Sequence, residues 1–245
     1  MFAGRFSLQA AETVCGWDSL NVLDALDVLV ASSLVARADD SFRLLQTIRE
    51  FALEQLAGTT DENLVRERHA EWCTDIVEAA QSQLWGPRAI ESRKRLASEE
   101  DNARAALAWA VASTRAGLGM RLAVALRSFW VTRGQFGEGR NWLHKLLALP
   151  QQPQTSLRST ALCVAGALAI WQDDRGEAGA LLEEALATAR QWGDMAAVAD
   201  ALGERELLAT RAREDGAALA YAEEALALRR HLGEPAAIAD ALSTF

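Results

Sequence analysis

The stretch EEALATARQWGDMAAVADAL, Glu183 to Leu202, returns forty residues later as EEALALRRHLGEPAAIADAL, Glu223 to Leu242, identical at 13 of 20 positions. In each copy the apolar residues recur every three or four positions, the period of an amphipathic helix. A glycine then interrupts the pattern, Gly193 in one copy and Gly233 in the other. Glycine supplies a left-handed helix stop, and the residues that follow, Asp194 or Glu234 with Pro235, suit the first turn of the next helix. The repeating unit is therefore a helical hairpin. A weaker third copy aligns EGRNWLHKLLA (Glu138 to Ala148) with EAGALLEEALA (Glu177 to Ala187) at an offset of 39. Such hairpins cannot bury their apolar stripes alone, so they stack into a solenoid that offers an elongated groove. The period exceeds the roughly 34 residues of a standard tetratricopeptide repeat, so the array is tetratricopeptide-like. The last copy reaches only one helix before Phe245, so the array is expected either to continue in a longer parent or to fray at its last helix. It also leaves Ile238, Leu242 and Phe245 in need of cover, by self-association for example.

Working outward, the chain has 245 residues, half of them apolar, and a formal net charge of −9. That is ample for a core without metals or disulfides. Cys15, Cys73 and Cys163 are an odd, scattered set, as expected of free thiols in the cytoplasm. The longest apolar run, Ala161 to Trp171, has 11 residues against the roughly 20 of a membrane span, and reads as a buried helix. No secretory signal pattern opens the chain and no membrane association is expected. Charge is uneven: −4 over residues 1–60, +2 over 61–150 and −7 over 151–245. Both ends would repel a polyanion.

The first segment reads as a different module. Ser7 caps SLQAAETVCG, which Gly16 ends. NVLDALDVLVAS follows with helical spacing, and SLVAR and FRLL flank the turn-forming ADDS as a two-stranded ribbon. QTIREFALEQLA, Gln46 to Ala57, closes the unit as a helix. Helix, helix, ribbon, helix is the order of a winged helix without its first helix. Beyond Thr60 the pattern is helical throughout. One helix spans about Asp61 to Leu84 with Val65, Trp72, Ile76 and Ala80 on its stripe, and WGPR breaks it, with Pro87 in the first turn of the next. The expected fold class is mainly α: a partial winged helix with a small β-hairpin, residues 1–58, a helical linker or cap, 59–115, and a tetratricopeptide-like α-solenoid, 116–245.

Several strings resemble the carboxy-terminal half of the bacterial STAND regulators, signal-transduction ATPases associated with LuxR-type or SARP-type DNA-binding domains. They are FAGRFSLQAAETVC, VLDALDVLVASSLV, FRLLQTIREFALEQL, RERHAEW, LASEEDNARAALAWAV and FWVTRGQFGEGRNWLHKLL, in the family's order from about Phe2 to Leu147. The resemblance implies a winged helix and superhelical repeats that receive a ligand or partner protein and couple to the nucleotide-binding domain of a longer parent. It does not extend to that domain. The only lysines are Lys94 and Lys145, both in helical strings and neither behind a glycine-rich phosphate loop.

Motifs for chemistry are sparse, and no enzyme activity, metal or cofactor is expected. His69, His144 and His231 lack ligand spacing, with His69 and His144 expected at helix interfaces. Adjacent carboxylates such as Glu99 with Glu100 diverge on a helix. Asp101 and Asn102 are expected to cap the helix that carries Trp109. Of the eight tryptophans, Trp109, Trp130, Trp142 and Trp171 lie in apolar helical strings and most readily fill the space between hairpins. FWVTRGQFGEGRNW nevertheless gathers Trp130, Arg133, Arg140 and Trp142 in the only net-positive third, making these four the candidate ligand or partner site. The helix before the ribbon carries Asp24 and Asp27 and no basic residue, which argues against direct DNA contact. The leading reading is a non-catalytic ligand-sensing and protein-interaction region of a STAND-type transcriptional regulator. The alternatives are a stand-alone winged-helix DNA-binding regulator and a fragment of an ATPase whose nucleotide-binding domain lies upstream.

Overall fold

The computed structural model describes residues 1–16, 21–81, 83, 88–153 and 155–233. The chain divides into two compact units, Met1–Ala125 and Leu126–Phe245. Expectations placed on Pro87, Glu234, Pro235, Ile238, Leu242 and Phe245 lie outside the described residues.

The first unit opens with β1 (Phe6–Ser7), α1 (Leu8–Cys15), α2 (Val22–Ala31), β2 (Val35–Ala38), β3 (Ser41–Leu44) and α3 (Gln46–Leu56). Ser7 caps α1 by accepting the Ala10 amide at 3.1 Å. Gly16 ends it, since a Cβ there would lie 2.3 Å from the Glu12 carbonyl oxygen. Close approach, and not a left-handed backbone, makes that residue glycine. The ribbon pairs β2 with β3, Val35 opposite Leu44 and Ala38 opposite Ser41, and turns at Asp39–Asp40. The sheet holds a third strand absent from the sequence-based reading: β1 pairs antiparallel with β3, Phe6 opposite Phe42. Two residues are too few for a visible alternation.

Four helices complete the unit: α4 (Glu62–Gln81), α5 (Ala89–Ser98), α6 (Glu100–Ala112) and α7 (Ala116–Ala125). The core forms where the amino-terminal strand meets α4. Phe2 stacks on Phe6 with ring centroids 4.4 Å apart and meets Trp72 edge-on at 5.5 Å, while Phe6 lies 5.9 Å from Phe42. Asn102, fully buried, does not cap α6 as expected; the cap position is Glu99, without a side-chain bond. The Asn102 carboxamide clamps the strand segment instead. Its Oδ1 accepts the Ala3 and Gly4 amides at 2.9 and 3.0 Å, and its Nδ2 donates to the Arg5 carbonyl at 2.9 Å and to Glu99 at 2.7 Å. A side chain thus satisfies part-buried backbone groups of the segment before β1.

The second unit comprises α8 (Arg127–Arg133), α9 (Phe136–Leu147), α10 (Leu157–Trp171), α11 (Arg175–Trp192), α12 (Met195–Ala212) and α13 (Asp215–Leu232). The forty-residue period governs its backbone. Left-handed residues stand at Asp173 and Arg213, and again at Gly193 and Gly233, each pair forty apart, with Gly134 thirty-nine before Asp173. Buried positions repeat in step. Ala161, Leu162 and Ala169 of α10 correspond to Ala201, Leu202 and Ala209 of α12. Ala178, Ala185 and Leu186 of α11 correspond to Ala218, Ala225 and Leu226 of α13. The weaker copy follows at thirty-nine: Gly139, Leu143 and Leu146 of α9 correspond to Ala178, Leu182 and Ala185. Successive helices pack antiparallel, and α10 also touches α12, the contact that joins one hairpin to the next. Asp174 and Asp194 cap α11 and α12 through the Glu177 and Ala197 amides. The chain is mainly α, with a small ribbon module followed by stacked helical hairpins, as expected.

Two of the stops are not glycine. A non-glycine residue in the left-handed region costs about 1 kcal/mol. Arg213→Gly is therefore expected to raise stability by about 0.5–1 kcal/mol, read as a higher urea midpoint with unchanged slope.

Candidate functional site

Of the four residues singled out from the sequence, Trp130 is buried, Arg140 and Trp142 are half-buried and Arg133 is exposed. Trp130 is 2 % exposed and packs against Gly139, where a Cβ would lie 2.5 Å from its ring. Glycine at 139 lets α9 approach the indole. Arg133 is exposed and stacks on Phe129, guanidinium to centroid 5.5 Å. Trp142 is half-buried, with its Nε1 donating to Glu138 at 3.4 Å and Lys145 4.9 Å above the ring. Arg140 is a hub between neighbouring helices. It donates to Gln172 and Asp174 at 2.7 Å each and to Glu177, which also holds His144 at 2.6 Å. Bidentate-capable arginine suits such a node. His144 thus lies at a helix interface as an exposed partner of Glu177. Trp171, expected between hairpins, is 45 % exposed and sandwiched by Phe136 and the Arg211 guanidinium.

A cleft of about 350 Å³ opens within the second unit where the hairpin turns meet, lined by Arg175, Arg205, Leu208, Ala209, Glu214 and Tyr221 among others. Arg175 starts α11, Arg205 and Leu208 project from α12, and Tyr221 stands on α13. Arg205 donates to the Tyr221 hydroxyl at 2.9 Å and lies 4.9 Å from its ring centroid. Arg175 pairs with Asp173 at 3.0 Å, so the lining combines two guanidiniums, the Glu214 carboxylate, a phenol and an apolar wall. The sequence held one sign of it: Tyr221 is the only tyrosine of the chain.

A second cleft, about 510 Å³, lies in the first unit, with Arg49, Leu53, Arg66, His69 and Trp109 on its walls. Arg49 donates to the Phe2 carbonyl at 3.0 Å and Arg66 pairs with Glu62 at 3.0 Å. At its floor, His69 Nε2 lies 3.8 Å from Cys73 Sγ. That contact resembles a nucleophile and its base, but the environment opposes the chemistry. Burial pushes the Cys73 thiol well up and holds His69 down at about 3, with Arg49 and Arg66 adding to the effect. A thiolate–imidazolium pair needs the reverse shifts. The two are core residues. Burial likewise pushes up the Cys163 thiol. Among the described residues no group of three His, Cys, Asp or Glu could hold a metal ion. None of the described helices is long and apolar enough to cross a membrane.

His69 sets a pH dependence. It is neutral in the fold and protonates near 6.5 when unfolded, so the unfolded state binds more protons between about 3 and 6.5 and stability is lost as pH is lowered through that window. By pH 5 the loss is about 2 kcal/mol relative to neutral pH. Urea midpoints at pH 7 and pH 5 should differ accordingly, and His69→Gln should flatten the difference.

No known protein-family profile matches the chain. It is 33 % identical, over 220 residues, to proteins of Mycobacterium bovis and Mycobacterium tuberculosis that carry the provisional name HTH-type transcriptional regulator. The alignment covers 82 % of this chain and 24 % of each relative, so the chain spans about a quarter of their length. A superposition over 97 % of this chain and 44 % of its counterpart reaches a TM-score of 0.42 at 13 % identity. The counterpart is a STAND protein with a tetratricopeptide repeat sensor from Pyrococcus horikoshii.

Proposed function

We propose that this chain is the non-catalytic, effector-binding and protein-interaction region of a larger STAND-type transcriptional regulator. The likeness to mycobacterial regulators four times as long supports the setting. The observation that carries the binding role is the cleft built by the hairpin period itself, with Arg175, Arg205 and Tyr221 at one turn end. The effector is a small molecule with an anionic group and an apolar body, or an acidic segment of a protein presenting the same chemistry. Arg133 and Trp142 extend the recognition surface along the repeats, while Trp130 and Arg140 position it. Residues 1–58 act as a partial winged helix, supported by the order β1, α1, α2, β2, β3 and α3 and by β1 lying on β3. In the parent that module couples to the nucleotide-binding domain, residues 59–115 link it to the repeats, and residues 116–245 receive the effector. Binding shifts the parent's population only as far as the effector prefers one arrangement of the repeats.

Thermal unfolding of the chain against small carboxylates, phosphate esters and short acidic peptides tests this reading. One class should raise the melting temperature, a ligand at 100 times its Kd adding about 2.7 kcal/mol. Arg205→Ala should abolish that rise. A rise that survives both Arg205→Ala and Tyr221→Phe, or no rise with any class, contradicts the assignment.

A further inference from the structure

Two exposed helix faces of the first unit are complementary and unused among the described residues. On α5, Ile90, Arg93, Lys94 and Ala97 fall at the i, i+3, i+4 and i+7 spacing of a single face, opposite the buried Ser92 and Leu96. All four are exposed, Ile90 to 70 %. On α2, Leu23, Asp24, Asp27, Val28 and Ala31 form the face opposite the buried Val22 and Leu26, with Val28 64 % exposed. One face is basic around an isoleucine. The other is acidic beside a leucine and a valine.

Some ionic side chains of the unit are paired within it. Arg66 pairs with Glu62, Arg104 with Glu100, Arg115 with Glu67 and Arg121 with Glu78. Arg93, Lys94, Asp24 and Asp27 have no ion-pair partner among the described residues, although the chain carries 34 acids for 25 bases. What sets the two faces apart is that each combines an exposed aliphatic with two charges of one sign, and that the signs are opposite.

We propose that α5 of one copy docks on α2 of a second copy of this chain. Arg93 and Lys94 meet Asp24 and Asp27 while Ile90 packs against Leu23 and Val28. Charge complementarity selects this occupant. A nucleic acid would pair the two cations with phosphates and leave Ile90 in water, and α2 would repel it. A membrane surface would need a longer apolar face than ten residues with one bulky aliphatic supply. A two-fold dimer makes this contact twice and closes, whereas a head-to-tail arrangement leaves one α2 and one α5 for further copies. Two short helix faces make a small interface, with Kd on the order of 10–100 µM and strong salt dependence.

Sedimentation of the full chain over a concentration series tests it. The average mass should grow with concentration to at least twice the monomer at low salt and fall toward the monomer at high salt. Arg93→Glu with Lys94→Glu should weaken association by at least about 10-fold, and Asp24→Lys with Asp27→Lys by as much. Circular dichroism of each double variant should match the parent chain, because all four side chains are exposed. Mixing the two variants restores both contacts, one charge-reversed and one with the original charges, so association should return in the mixture. A monomeric parent chain at every concentration overturns the proposal, as does a mixture that stays monomeric. Salt-sensitive binding of duplex DNA that Arg93→Glu removes, without self-association, would assign the face to nucleic acid instead and equally overturn it.

Discussion

Asn102→Ala should lower the stability of the first unit by about 3 kcal/mol, more than any surface change in the chain. The side chain is fully buried, and truncation orphans the Ala3 and Gly4 amides and the Arg5 carbonyl together. Each unsatisfied buried group costs about 1–3 kcal/mol, reduced where the strand can shift toward water. The loss also frees Glu99, whose carboxyl burial already pushes up. Urea unfolding followed by far-ultraviolet circular dichroism reads the effect. A cap residue, the role its sequence position implies, would cost about 1 kcal/mol. A change near that smaller value would mean the clamp contributes little.

Trp130→Ala should destabilise the second unit by about 3–5 kcal/mol. The ring is 2 % exposed, and Gly139 and Leu168 close around the same space. Were Trp130 instead an effector anchor, the substitution would weaken binding and leave the urea midpoint nearly unchanged. The same measurement thus separates core from recognition surface at a position where sequence alone leaves both open.

What the sequence disclosed follows from what periodicity can encode. A forty-residue identity fixes which positions of α11 and α13 are equivalent, and the buried pairs Ala185 with Ala225 and Leu186 with Leu226 follow from it. The stops at Asp173 and Arg213 were hidden because neither is glycine, although both turn left-handed where the period requires. Strand β1 was hidden because its pairing with β3 depends on a clamp from α6, about ninety-five residues away in sequence. The candidate site was legible in kind but not in place. FWVTRGQFGEGRNW does contain large and basic side chains, yet whether an arginine faces a groove or a neighbour depends on the next repeat. The offset of 39 that aligns Glu138 with Glu177 already brings Arg140 within reach of the following copy, and the structure places its guanidinium there. Arg205 and Tyr221 meet across the turn between α12 and α13, a juxtaposition set by hairpin geometry and carried by no motif.

The chief claim, that the second unit is an array of equivalent hairpins offering a binding surface, is tested most directly by removing one period. Deleting Asp174 to Arg213 joins the left-handed Asp173 to Glu214 and brings α13 onto α10 with the residues that α11 now presents, Ala218, Ala225 and Leu226 for Ala178, Ala185 and Leu186. An array of nearest-neighbour contacts tolerates this. The shortened chain should remain helical and unfold cooperatively in urea, with a lower midpoint. Loss of cooperative unfolding would show that the helices form one indivisible bundle and would contradict the account.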